Sequence, residues 1–76
     1  MVFEKVRSIV AKTLGVEESK ITLETSLVND LGADSIDAVE IIMELEDEFG
    51  IEFDDEATQT VQKISDIVEY IENHKN

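Results

Sequence analysis

Asp30-Leu31-Gly32-Ala33-Asp34-Ser35-Ile36-Asp37-Ala38-Val39-Glu40-Ile41-Ile42-Met43-Glu44-Leu45-Glu46-Asp47-Glu48-Phe49-Gly50 is the stretch from which the fold is read. Its start is marked twice: Asp34 is a capping residue type, and Asp37 follows at capping-box spacing, with both carboxylates at the positive end of a helix dipole. Gly50 supplies a stop. At about 100° per residue, Ala38, Ile41, Ile42, Leu45 and Phe49 gather on one side of a helix over Ser35–Phe49 and suffice as its core stripe. Ile36, Val39 and Met43 fall on the opposite side, beside Glu40 and Asp47 and bordered by Glu44 and Glu46. A helix of a small domain has no core on two opposite faces. Either a neighbouring loop covers the second stripe, or it is a partner surface. Apolar anchors ringed by acids, with an adaptable Met among them, favour the partner surface.

Two further segments carry helical spacing. Over residues 3–14, Phe3, Val6, Val10 and Leu14 form one stripe with Ile9 beside it, and Gly15 ends it. Over residues 64–73, Ile64, Ile67, Val68 and Ile71 recur with Tyr70 alongside, and this helix should pack on the first. Residues 15–34 form a long connection whose apolar residues, Ile21, Leu23, Leu27, Val28 and Leu31, lack a sustained period. A loop of that length needs anchoring to the core through such residues. Residues 54–61 have room for one or two helical turns. The pattern is all-α, in one domain over residues 1–76.

Nineteen acidic against 6 basic residues give a formal net charge of −13. The charge is lopsided: residues 21–62 hold 13 acids and no Lys or Arg. Phosphate recognition rests on Lys and Arg, so such a field excludes nucleic acid and anionic membrane and favours steered encounters with basic protein surfaces. Disorder is excluded by the 42% hydrophobic content and its helical spacing. With no Cys, the polypeptide has no disulfide, no thiolate metal site and no thiol chemistry of its own. Residues 1–11 read as neither a signal segment nor a membrane span, so a cytoplasmic monomer is the expectation. Seventy-six residues are few for a core plus a deep catalytic cavity, which argues against an enzyme.

The run Asp30 to Glu40, followed by Glu44-Leu45-Glu46-Asp47-Glu48-Phe49, resembles the signature of acyl carrier proteins, in which Gly-x-Asp-Ser-Leu opens the second helix of a four-helix bundle. The opening helix, the long loop, the motif and a closing helix with Val68-Glu69-Tyr70-Ile71 fall in the family's order, so the similarity spans the whole chain. The resemblance implies a small four-helix bundle with a long first loop and a short third helix. It implies that Ser35 bears a covalent 4′-phosphopantetheine arm, drawn from coenzyme A, whose thiol holds acyl groups as thioesters. Under it, Gly32 lets the loop turn sharply and a modifying enzyme approach, and Asp34 contacts the phosphopantetheinyl transferase and its metal ion. Ile36, Asp37, Val39, Glu40, Met43, Glu46 and Asp47 match positions that dock on basic patches of fatty-acid synthesis enzymes. An acyl chain is expected among Ile42, Leu45, Phe49, Val61, Ile64 and Ile67. No resident metal and no catalytic residue are expected.

Three positions depart from the family pattern. Ile36 replaces the usual Leu. Asp54 replaces a frequent Pro before the third helix, which should leave that helix less preorganised. Lys63 stands where Thr or Ser commonly caps the last helix, and Lys is a poor N-cap. Read alone, Ser35 would be an N-cap serine, a reading the surrounding motif outweighs. A Ser35–His74 hydrolase would need the only His, near a fraying C-terminus, to reach the far end of another helix in a chain too small for an oxyanion site. No run fits a calcium-loop pattern, since the sixth position counted from Asp30 is Ser35. The chain starts at Met1 and stops just past the last helix, which makes a stand-alone carrier of fatty-acid biosynthesis the expectation. Carriers of polyketide, peptide or other acyl pathways share the motif, and an unmodified acidic interaction domain is the rival.

Overall fold

A computed structural model of the chain describes residues 2–74. Helix α1 (Val2–Leu14) is followed by a 3₁₀ turn at Glu18–Lys20, then by α2 (Ser35–Phe49), the short α3 (Asp55–Thr60) and α4 (Ile64–His74). Among the described residues no strand forms, and a lone antiparallel bridge joins Ser26 to Lys63. Helix α1 packs against both α2 and α4. The all-α class, the long first loop and the short third helix are those expected from the sequence.

The buried face of α1 is Val2, Val6, Val10 and Ala11, with Phe3, Ile9 and Leu14 half-buried around it. This stripe shares Val6 and Val10 with the one read in the sequence, with Val2 and Ala11 buried and Phe3 and Leu14 at its edges. Phe3 sits at its edge, where the Arg7 guanidinium lies 5.2 Å from the ring centre. Gly15 adopts φ +68°, and the Val16 N–H donates to the Ala11 carbonyl at 3.0 Å, so a left-handed residue ends the helix as predicted. From α2 come Ile41, Ile42 and Leu45, and from α4 Ile64, Ile67, Val68 and Ile71. Full burial of a large aliphatic side chain contributes about 1.5–3 kcal/mol, and these residues carry the core.

The first loop is held by backbone bonds as well as by apolar anchors. Ile21, Leu27 and Ala33 are buried, but Leu23 and Val28 are 44% and 60% exposed and do not anchor the loop. The loop instead caps α4. The N–H groups of Ile64 and Ser65 donate to the carbonyls of Thr25 and Leu23 at 3.0 and 2.9 Å, and Leu27 N–H donates to the Gln62 carbonyl at 3.0 Å. Asp66 adds its carboxylate, which accepts from the N–H groups of Gln62 and Lys63 at 3.2 and 3.1 Å. The poor cap at Lys63 therefore leaves the start of α4 well defined, because carbonyls from the loop satisfy amides that a side chain would otherwise serve.

Helix α3 has no buried residue of its own. Asp54 is its N-cap, accepting from the Ala57 N–H at 2.7 Å, so a capping carboxylate stands at this position. Tyr70 stacks between two rings, Phe53 at 4.4 Å and His74 at 4.0 Å between centroids. His74 is the last residue of α4 and stacks on Tyr70.

Candidate functional site

The site begins where the loop turns into α2. Gly32 takes φ +71°, a left-handed conformation that L side chains rarely adopt, and a Cβ built there would meet nothing within 4 Å. The space in front of it is open. Asp34 is extended at φ −95° and ψ −175° and caps the helix: its Oδ1 accepts from the Asp37 N–H at 2.9 Å, while Asp37 Oδ2 accepts from the Asp34 N–H at 3.3 Å. The predicted capping box is present. Ser35 is therefore the first helical residue and not the cap. It is exposed, and its hydroxyl has no hydrogen-bond partner among the described residues. The dipole and the unpaired amides of the first turn favour negative charge at this end of α2. A free hydroxyl, an open glycine and a positive helix end together suit a serine that bears a phosphodiester.

Down the outer side of α2, Ile36, Val39 and Met43 are 68%, 45% and 58% exposed, so neither the loop nor α3 covers the second stripe. The acids around it divide into two groups. Glu44 takes the Thr13 hydroxyl, Glu48 pairs with Lys5 at 3.0 Å, and Glu46 Oε2 accepts from the Phe53 N–H at 2.7 Å. Asp37 is half-buried in the capping box. Glu40 and Asp47 are exposed and have no bonded partner among the described residues. The free carboxylates thus flank the apolar stripe, while the others tie α2 to α1 and to the turn after it.

The six residues expected around an acyl chain fall in one packed region. Ile42, Leu45, Ile64 and Ile67 are buried, with Phe49 and Val61 half-buried against the same cluster. A chain enters among them only if the bundle opens. Beside Val61, surface clefts lie on both flanks of α3, one toward Tyr70 and His74 and one toward Val28 and Gln59. Among the described residues, no three or more His, Asp or Glu side chains gather as a metal site, and no helix is long and apolar enough to cross a membrane.

Sequence reasoning missed the exposed Val28 and the Phe53–Tyr70–His74 stack. Val28 reads as core by residue type, and the stack joins residues 53 and 74, which no local period relates.

A family model described as the phosphopantetheine attachment site matches residues 4–71. The chain is also similar to the solved structure of a candidate acyl carrier protein from Mycobacterium tuberculosis, with a TM-score of 0.90 and 29% identity over 96% of this chain and 97% of that one.

Proposed function

The chain belongs to the phosphopantetheine attachment-site family and has the acyl carrier protein fold, and on that premise we propose that it carries acyl intermediates on an arm attached to Ser35. The observation that carries the assignment is the division of labour at the start of α2. Asp34 does the capping, which leaves the Ser35 hydroxyl exposed and unbonded on the first turn. When bound, 4′-phosphopantetheine supplies a thiol that holds an acyl group as a thioester, a function the Cys-free chain lacks. Ser35 Oγ provides the attachment atom, the N-terminal amides of α2 stabilise the phosphodiester charge, and Gly32 keeps the approach open. Asp34 has its second carboxylate oxygen left for the transferase and its metal ion.

Ile36, Val39 and Met43 form the apolar anchor of the docking face, with Glu40 and Asp47 as its free charges, and the partners are the phosphopantetheinyl transferase and acyl-processing enzymes with basic patches. We take the pathway to be fatty-acid biosynthesis, with polyketide, peptide or other acyl pathways, whose carriers share the motif, as the alternatives. The chain itself is not the catalyst: its only His, His74, is stacked on Tyr70 with Nδ1 2.8 Å from the Tyr70 carbonyl. Mass spectrometry of the protein expressed with a phosphopantetheinyl transferase tests the assignment. The arm's added mass should appear on Ser35 and be abolished in a folded Ser35→Ala variant. Its appearance on Ser8, Ser19, Ser26 or Ser65 would sink the proposal.

A further inference from the structure

Glu46 belongs at once to the acidic rim of α2 and to the turn that follows it. Its backbone carbonyl accepts from the N–H groups of Gly50 and Ile51 at 2.9 and 3.3 Å, and its side-chain Oε2 accepts from the Phe53 N–H at 2.7 Å. One residue therefore holds three amides of the five-residue connection 50–54. On the far side the same segment is held by Tyr70, whose hydroxyl donates to the Glu52 carbonyl at 3.2 Å and accepts from the Asp54 N–H at 3.4 Å. Phe53, 8% exposed and stacked on Tyr70, is the buried anchor of this segment. Helix α3 hangs directly after it and buries no residue of its own. At its start α3 is attached to the bundle through residues 50–54, while Ala57 and Val61 lie half-buried against the core and Gln62 is held by Leu27 and Asp66 at its end.

We propose that Glu46 links docking to opening: a cationic side chain from a basic partner draws its carboxylate outward, frees the Phe53 amide, and loosens the turn and α3. An ammonium or guanidinium is a charged donor and outcompetes a neutral backbone N–H for the same carboxylate. Glu46 is half-buried on the border of the exposed stripe, within reach of a partner seated there. Releasing α3 uncovers the side of the core holding Val61, Ile64 and Ile67, and so provides an exit for an acyl chain when an enzyme docks. The inference rests on the carrier reading for the identity of the partner, but the link itself is a property of the bare chain.

Amide hydrogen exchange, resolved by residue with NMR on the full chain, tests it. Glu46→Ala should speed exchange at Phe53, and across α3, by about tenfold or more, the loss expected for a hydrogen bond to a charged group. The amides of Val6 and Val10 in α1 should stay as they were. Glu46→Gln keeps an oxygen acceptor without the charge and should retain most of the Phe53 protection. Hexalysine peptide, used as a bare cationic probe, should speed Phe53 exchange in the wild type and not in Glu46→Gln. A Phe53 amide indifferent to Glu46→Ala, or equally sensitive to hexalysine in wild type and Glu46→Gln, would overturn the proposal. If Ser35 never gains the arm while the Phe53 results hold, the carrier reading fails and the link stands. An arm-bearing protein with an indifferent Phe53 amide gives the reverse.

Discussion

Asp34 and Ser35 are neighbours with separate duties, and substitution can divide them. Asp34→Ala removes the acceptor for the Asp37 N–H and should cost about 1 kcal/mol, or roughly 4–8 °C in melting temperature for a domain of this size. Asp34→Ser offers a hydroxyl acceptor instead and should recover most of that loss. If Asp34 also meets the transferase and its metal ion, both variants should gain the arm slowly, so that thermal melts and the rate of mass gain separate capping from recognition. The cap was legible in sequence, because a cap and its box partner lie three residues apart and need no distant contact, whereas the arm on Ser35 was implied by the family resemblance. Lys63 shows the opposite case. Its neighbours' amides are satisfied by Thr25 and Leu23 carbonyls some forty residues earlier in the chain, a pairing that no local spacing encodes.

At the scale of elements, α2 was the most legible helix, since its period, its start and its glycine stop fall within one short stretch. The first loop was the least. Its order comes from backbone bonds to the start of α4, and residue type alone misplaced Leu23 and Val28, which are exposed. The outer face of α2 was readable as a surplus of apolar positions, but the sorting of its acids was not. Only the structure separates Glu40 and Asp47, which have no bonded partner among the described residues, from Glu44, Glu46 and Glu48, which are engaged. Glu40→Lys or Asp47→Lys should therefore slow association with a basic partner enzyme without loosening the bundle, and added salt should weaken the wild-type complex in the same direction. Stopped-flow association rates at low salt check this, and equal rates for variant and wild type would count against the docking face.

For the whole molecule the decisive quantity is charge relative to size. A net charge of −13 is spread over a body of 29 × 24 × 19 Å. A single core below about 70–80 residues rarely supplies more than ~3–5 kcal/mol, so self-repulsion weighs heavily. At about 0.1 M ionic strength the Debye length is ~10 Å, which screens repulsion between opposite ends of the domain. The melting temperature should rise with sodium chloride, and rise further with magnesium at equal ionic strength if the ion binds the folded arrangement preferentially. An acyl chain on the arm, inserted among Ile42, Leu45, Phe49, Val61, Ile64 and Ile67, should raise it again by added apolar burial. Thermal melts of unmodified, arm-bearing and acylated protein in the three salts measure all of this. A melting temperature unmoved by any of them would refute both the charge argument and the proposed pocket.

The ring stack has a practical consequence for watching such changes. The chain contains one Tyr and no Trp, so its ultraviolet emission and near-ultraviolet circular dichroism originate almost wholly from Tyr70. That chromophore lies between Phe53 and His74 with its hydroxyl on the backbone of residues 52 and 54. The natural protein is therefore already labelled where the connection between the second and third helices packs on the fourth, and an unmodified sample reports optically on that contact.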